Sequence, residues 1–152
     1  MFNFASYMNK SIYERTEQAA RLLERFECSL VVIDRGGEVR TFYNKGVRDL
    51  YTLLKRDPGF MDGAAVADKM VGAGAAVLMC AGKIGKLFTF VASEPAAMRL
   101  VQAGISFESL KTVPNIINRA GTDICPVEKL VGGIEDYGEC IDRIGDFLSE
   151  IL

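Results

Sequence analysis

The chain has 152 residues, of which 49% are hydrophobic, and its 18 Lys and Arg residues against 20 Asp and Glu residues give a formal charge of −2. This size and composition predict a single globular domain over residues 1–152. The chain contains no histidine. A Ser-His-Asp or Cys-His catalytic unit, an HExxH metalloprotease helix and any zinc site built on imidazole are therefore excluded.

The four cysteines, at positions 28, 80, 125 and 140, form neither a CxxC pair nor the close spacing of a disulfide framework. We interpret this pattern as that of a reduced, cytoplasmic protein. Residues 1–10 lack the basic start and apolar core of a signal peptide, and no stretch approaches the roughly 18 apolar residues of a membrane span. Lys and Arg are not clustered as nucleic-acid binding requires. We therefore expect neither a membrane nor a nucleic acid as partner.

A capped helix and a β-hairpin are predicted at the start of the chain. Ser11 and Glu14 have the spacing of a capping box, and the apolar stripe that follows predicts a helix to about Phe26. Two strands are expected next, over 28–34 and 38–43, with a Gly-Gly turn between them.

The middle of the chain predicts helices around a buried strand. Three leucines at helical spacing indicate a short helix that ends at Pro58. The Ala- and Gly-rich segment 64–82 predicts one buried helix, and the apolar segment 87–92 predicts a strand covered on both faces. A helix over 93–104 follows, with the Ser and Pro pattern of a helix start.

The remaining elements complete an α/β domain. A strand is predicted over 106–113, a short helix over 126–131 and an acidic helix over 134–152. This order predicts a three-layer α/β/α sandwich whose mixed sheet carries an N-terminal β-hairpin. The acidic helix is interpreted as a solvated lid on the core. The apolar seams of the first and last helices are candidate surfaces for a homo-oligomer.

No cofactor is expected, because the nucleotide-binding motifs are incomplete. The segment Gly72-Ala73-Gly74 begins like a dinucleotide fingerprint but has Val77 at the third glycine position. The Gly-Lys pairs that follow lack both the Ser or Thr and the upstream glycine of a Walker loop. We interpret the small residues as allowing close packing of a helix against the sheet.

Asp68 and Lys69 are adjacent opposite charges inside an apolar run. Charged residues in such a run cap a helix, pair with each other or face a cavity. Two interpretations stay open for this pair. In the structural one, Asp68 is a helix N-cap and Lys69 is solvated, and in the functional one both belong to a site.

A second polar cluster surrounds Cys125. Proline favours the first position of a helix, so Pro126 predicts Cys125 at the N-cap, where the helix dipole favours a thiolate without any histidine. Glu128 completes the spacing of a capping box or, alternatively, accepts a proton beside the sulfur. Arg119 offers a fork for a carboxylate or phosphate, and Asn118 offers a donor and an acceptor. The alternative is a small buried cysteine beside a polar connection.

These two clusters together resemble a known family. The sequence over about residues 22–131 resembles an uncharacterised prokaryotic family of the cytidine deaminase-like superfamily, through the motifs at 67–72, 118–119, 121–122 and 125–131. The acidic segment 134–152 lies outside the resemblance. The family's glycine-rich helix has a basic residue where this chain has Ala73. The resemblance implies a cytidine deaminase-like fold with a ligand pocket at the N-terminal end of its central helix, where Asp68 and Lys69 would lie.

The zinc machinery of such deaminases is missing from the sequence. A zinc deaminase needs a His or Cys followed two residues on by Glu, and then Pro-Cys-x-x-Cys. At the corresponding places this chain has Asp68 and Met70, then Ala96 and Arg99 after the retained proline. We therefore expect no metal site and no zinc-dependent deaminase activity.

Two functional hypotheses follow from the sequence. The first is a metal-independent thiol enzyme that acts on a small nucleotide-like or amino-acid-like metabolite. In it, Cys125 is the nucleophile, and Asp68 or Glu128 moves a proton. Lys69 and Arg119 hold an anionic group, with Asn118 as a further binding residue. The second hypothesis is a non-catalytic module that binds a small molecule or a partner.

Overall fold

The computed structural model describes residues 10–150 of the chain. The interpretation of the first nine residues, and the predicted extension of the last helix to residue 152, lie outside this range. In chain order the elements are α1 (Ile12–Arg25), β1 (Leu30–Ile33), β2 (Val39–Phe42), α2 (Arg48–Arg56), α3 (Pro58–Met61), β3 (Ala65–Val71), α4 (Ala73–Gly82), β4 (Lys86–Ser93), α5 (Glu94–Gln102), β5 (Ser106–Val113), α6 (Pro126–Val131) and α7 (Tyr137–Glu150).

The strands form one mixed sheet in the order β2-β1-β3-β4-β5. Strand β1 is antiparallel to both β2 and β3, whereas β3, β4 and β5 are parallel to one another. Helices α4 and α5 connect the parallel strands. The predicted α/β fold and its N-terminal hairpin are therefore confirmed.

Helices cover both faces of the sheet. On one face, α1 contributes Ala19 and Leu23 to a core with alternate residues of β1 and β3. On the other face, α2, α4, α5 and α7 pack on the intervening strand residues, such as Val32 and Val66. Helix α4 is buried in every residue except Ala81, which explains why its sequence has only apolar and small residues.

Two of the predicted helix starts, those of α1 and α5, have the expected side-chain hydrogen bonds. Ser11 Oγ accepts from Glu14 N at 3.1 Å, and Ser11 N donates to a Glu14 side-chain oxygen at 3.4 Å. Ser93 Oγ accepts from Ala96 N at 3.2 Å at the start of α5. These bonds satisfy helical N–H groups that have no partner within the helix.

The prediction of a single helix over 64–82 is wrong. Residues Ala65–Val71 form β3, the central strand, and α4 begins only after Gly72. Because β3 is buried between two layers, its first residues are apolar without alternation, and a short apolar run does not distinguish a strand from a buried helix. Asp68 is consequently a strand residue, and its interpretation as a helix N-cap is also wrong.

The apolar seams of α1 and α7 are used within the chain. Cys140, Ile144 and Leu148 of α7 belong to the larger core. Ala19 and Leu23 of α1 belong to the core on the other face. These seams therefore pack on the sheet and its helices, as the lid interpretation of the last helix expects.

Helix α4 packs closely against α6, and this contact gives a first prediction. A Cβ atom on Gly74 would lie 2.2 Å from Val127 Cγ1. We expect Gly74→Ala to destabilise the protein by about 1–3 kcal/mol, the usual cost of an overpacked core. Urea unfolding followed by circular dichroism measures this cost. Gly59→Ala is the control, because a Cβ there meets nothing within 4 Å, and equal stability of the two variants would contradict the packing argument.

Candidate functional site

The parallel strands end together at one edge of the sheet. Val71, Ser93 and Val113 are the last residues of β3, β4 and β5. Helices α4 and α5 begin directly beyond this edge, and the connection 114–125 leaves from it. The carboxyl edge of parallel strands is the usual place for ligands in α/β sheets, so a site is expected here.

Glu128 ties three segments together at this edge. Its side chain is buried, and one oxygen accepts from Ala73 N at 3.0 Å while the other accepts from Ile116 N at 2.9 Å. A carboxylate from α6 thus occupies the N-terminus of α4, where the helix dipole favours negative charge. The Glu128 carboxylate therefore accepts from the first residue of α4, whereas the sequence predicts a capping box within α6.

A cleft of about 640 Å³ opens beside Glu128. It runs along α5 and is closed on the other side by α6 and the α6–α7 connection. Gly133 in this connection has a φ of +75°, a conformation that glycine adopts without strain. The lining residues are Ala73, Pro95, Met98, Arg99, Gln102, Asn115, Ile124, Glu128, Lys129, Gly132, Gly133, Ile134, Glu135 and Tyr137.

Arg99 is the main cationic group in the cleft wall. Its Nη2 donates to the carbonyl oxygens of Val131 at 2.8 Å and Ile134 at 2.7 Å. These bonds fix the half-buried guanidinium to the α6–α7 connection. Within residues 10–150, no carboxylate lies within ion-pair distance of Arg99. Among the described residues, Arg99 is therefore bonded to carbonyl oxygens alone, unlike Lys129, which is paired with Asp123, although the carboxylates of Glu128 and Glu135 line the same cleft.

A neutral cluster lies behind Arg99. Burial raises the pKa of the Cys80 thiol, and burial together with the adjacent Cys80 raises the pKa of Tyr137. Burial likewise raises the pKa of Cys140. These groups stay protonated near neutral pH, so they do not neutralise the guanidinium. The Tyr137 ring provides a partly apolar surface in the cleft.

Asp68 and Lys69 lie on β3 and do not line the cleft. Asp68 is half-buried, and its Oδ1 accepts from Met70 N at 3.4 Å. Burial raises the pKa of Asp68 to about 7, against the opposing effect of backbone N–H groups, and the Asp49 carboxylate contributes to the rise. Lys69 is exposed.

Asn118 and Arg119 belong to a tight loop before α6. Asn118 Oδ1 accepts from Thr122 N at 3.0 Å, and its Nδ2 donates to Thr122 Oγ1 at 3.1 Å. Gly121 has a φ of +71° in the same loop. The Asn118 amide is thus engaged in shaping the loop, and Arg119 is exposed on it.

Cys125 is the residue before α6, as the sequence predicts, and it is half-buried. Its backbone N donates to Ile116 O at 2.8 Å, and its side chain makes no capping hydrogen bond. Cys125 is not among the residues that line the cleft. Of the six residues proposed from the sequence, the structure places one, Glu128, in the cleft.

In the sequence, Arg99 is predicted only to stand in the place of a missing zinc ligand, and no sequence pattern indicates Tyr137 as a site residue. The sequence contains a signal for Arg99, because it is a single Arg between apolar residues of α5. The Gly132-Gly133 pair further along the chain is a second signal. These two segments are distant in the sequence, however, so no local sequence pattern predicts that they are in contact.

The fold and the cleft define an α/β protein with a five-stranded mixed sheet and a ligand-sized cleft at its carboxyl edge. The family described as TM1506, a domain of unknown function (DUF1893), matches residues 18–148. The chain belongs to this family. No helix within residues 10–150 is both long and apolar enough to cross a membrane.

The chain is also similar to a solved structure. A DUF1893 family protein (TM1506) from Thermotoga maritima has 26% sequence identity and a TM-score of 0.79, and the match covers 96% of each chain. The search of curated proteins found no match. The family match to residues 18–148 includes most of α7, which lies outside the resemblance deduced from the sequence.

Proposed function

We propose that this protein is a non-catalytic binding module that holds a small metabolite by an anionic group in the cleft. The observation that carries the proposal is Arg99, a half-buried cation that is fixed by two carbonyl groups and, within the described residues, forms no ion pair with a carboxylate. A guanidinium whose position is already fixed loses little entropy when it binds a carboxylate or phosphate. Within residues 10–150, its Nε and Nη1 make no hydrogen bond, which leaves these donors for the ligand.

The neighbouring residues support the same assignment. Gln102 and Asn115 offer neutral donors and acceptors on the lining of the cleft, and Tyr137 offers an aromatic surface. The N-terminus of α4 is already occupied by Glu128. A bound anion therefore has Arg99, rather than the helix N-terminus, as its principal partner.

The proposal includes a cytidine deaminase-like form of the fold. The N-terminal hairpin, the parallel strands β3, β4 and β5 and helices on both faces of the sheet support it, together with the sequence resemblance. Helix α4 would then be the central helix of that fold, with its N-terminus beside the cleft.

The side chains at the expected zinc positions do not fit the metal. Asp68 and Met70, which the sequence places at the first zinc position, lie on β3 and not at the start of α4, and α5 has Ala96 and Arg99 where such deaminases have thiolates. A guanidinium repels a divalent cation and attracts an anion. We infer that the cleft lies where such deaminases have their active site. It attracts an anion, whereas those enzymes hold a metal cation there.

The thiol mechanism remains a prediction. Among the described residues, no hydrogen bond or ion pair joins the Cys125 side chain to Asp68, Lys69 or Arg119. The cleft itself contains no cysteine in its lining. The geometry therefore favours binding over covalent catalysis.

A ligand screen tests the proposal. Thermal-shift measurements with nucleoside monophosphates, sugar phosphates and amino acids are expected to identify a ligand that raises Tm. At a hundred times its Kd, a ligand stabilises the fold by about 2.7 kcal/mol, or about 5–10 °C for a domain of this size. Mass spectrometry of the recovered ligand is expected to find it unchanged, and product formation would contradict a non-catalytic role.

Arg99 variants localise the binding. Arg99→Gln is expected to weaken the ligand at least about tenfold, the loss typical of a charged hydrogen-bond partner, while Arg99→Lys retains part of the affinity. Arg143→Gln is the control, because Arg143 is exposed on α7 and paired with Glu139. Circular dichroism verifies the fold of each variant. Unchanged affinity of a folded Arg99→Gln protein would refute the assignment to this cleft.

A further inference from the structure

The two outer edges of the sheet differ in a way that suggests different roles. Strand β2 forms one edge and has only four residues, with Arg40 bonded to both Glu38 and Asp57. Strand β5 forms the other edge and has eight residues without a proline. Within residues 10–150, no strand pairs with the outer side of β5. Strand β5 carries the charges of Glu108 and Lys111, but it is twice as long as β2, and a long open edge is a template for pairing with another chain.

The exposed face of β5 carries an apolar residue at its centre. Leu110 is 63% exposed. The pairing of Thr89 with Ser109 and of Val91 with Lys111 puts Phe90 of β4 directly beside Leu110. Phe90 belongs to the core under α1 but is only half-buried. Helix α1 packs on β1, β3 and β4, so the strip formed by Phe90 and Leu110 continues that core to the edge.

The order of apolar and polar residues in β5 is the same in both directions from Leu110. From residue 107 to 113 it reads Phe-Glu-Ser-Leu-Lys-Thr-Val. An antiparallel pair of two such strands centred on Leu110 places Leu110 opposite Leu110, Phe107 opposite Val113, Glu108 opposite Thr112 and Ser109 opposite Lys111. Apolar residues face apolar residues, polar residues face polar residues, and no like charges are opposed.

The neighbouring register does not have this complementarity. Centred on Ser109, the pairing would put Glu108 opposite Leu110 and Lys111 opposite Phe107. A two-fold axis perpendicular to the sheet permits only registers centred on a residue, because opposite side chains must share a face. A register centred on Lys111 would place Lys111 opposite Lys111, which opposes two like charges. Of these three registers, the sequence of β5 therefore favours the one centred on Leu110.

We propose that the outer edge of β5 is a dimer interface, at which a second copy of this chain adds its own β5 in antiparallel register about Leu110. The sheet then continues through both subunits as ten strands. Phe90 and Leu110 of each subunit form one apolar strip across the two-fold axis. The cleft and Arg99 lie outside this strip, so dimer formation does not depend on the proposed ligand.

Analytical ultracentrifugation of the full chain tests the interface. The wild-type protein is expected to sediment at twice the chain mass at micromolar concentrations, and Leu110→Arg at the 16.7 kDa of one chain, because two like charges then face each other on the axis. Tyr43→Arg is the control, since Tyr43 is 66% exposed and follows β2 at the other edge. A monomeric wild-type protein, or a dimer that persists in Leu110→Arg, overturns the proposal.

A cysteine variant tests the register. In the proposed pairing the two Leu110 Cα atoms are about 4.5–5.5 Å apart, which suits a disulfide. Leu110→Cys is expected to form a covalent dimer on mild oxidation with diamide. Thr112→Cys is the control and is expected to stay uncrosslinked, because its partner is Glu108. Efficient crosslinking of Thr112→Cys but not of Leu110→Cys would overturn the register and with it the proposal.

Discussion

Replacing Glu128 by alanine is expected to lower the free energy of unfolding by about 3–5 kcal/mol, the largest effect of any variant considered for this protein. The buried carboxylate accepts hydrogen bonds from Ala73 N and Ile116 N. Its removal leaves two donors without partners, each costing about 1–3 kcal/mol, and removes the negative charge at the N-terminus of α4. Urea unfolding monitored by circular dichroism measures the loss.

Two further variants test whether the loss of stability comes from the Glu128 carboxylate itself. Glu128→Gln retains one acceptor oxygen but directs an amide donor at the other N–H, so we expect a loss of about 2 kcal/mol. Glu135→Ala is the matched control, because Glu135 lines the same cleft and is exposed. Its effect is expected within about 0.5 kcal/mol, as for most surface substitutions. A Glu128→Ala protein as stable as Glu135→Ala would show that Glu128 does not hold α4 and the loop together.

Asp68→Asn is expected to stabilise the protein at pH 8 by about 2–4 kcal/mol and to have little effect at pH 4. In the folded protein, burial raises the pKa of Asp68 to about 7, while the unfolded chain retains the ordinary value of 3.8. Each unit of difference corresponds to about 1.4 kcal/mol. The lower end of the range allows for the half-buried position of the side chain.

The direction of this effect follows from proton binding. Between pH 4 and 7 the folded state holds a proton on Asp68 that the unfolded state has lost, so ionisation of Asp68 lowers the stability as the pH rises. Asparagine cannot ionise and removes this cost. Asp142→Asn, on the exposed face of α7, is the control and should give no pH-dependent difference. Equal effects of Asp68→Asn at pH 4 and pH 8 would contradict the raised pKa.

Local patterns predicted most of the fold because the responsible interactions are local. The capping box of Ser11 and Glu14, the hairpin before β2 and the Ser93 cap of α5 each depend on residues within a few positions of one another. Strand β3 was missed for the opposite reason. Its assignment depends on pairing with β1 and β4, and its run of Ala and Val residues is compatible with a buried helix.

The candidate site was less predictable, because its contacts are distant in sequence. Glu128 bonds Ala73, which lies 55 positions away, and Arg99 bonds carbonyl groups of residues 131 and 134. The spacing of Cys125 and Glu128 predicts a capping box within α6, but tertiary packing places the Glu128 carboxylate at the N-terminus of α4. Asp68 and Lys69 were expected beside Cys125 only because β3 was predicted as part of α4.

We propose a small anionic metabolite as the ligand of the cleft beside Arg99. The most direct test is an NMR titration of the ¹⁵N-labelled protein with the best ligand from the thermal-shift screen. We predict chemical-shift changes concentrated on the amides of Gln102, Asn115, Gly132 and Gly133 and on the Arg99 side chain, all lost in Arg99→Gln. Changes concentrated instead around Lys69, Arg119 and Cys125 would refute ligand binding at Arg99 and favour the thiol site.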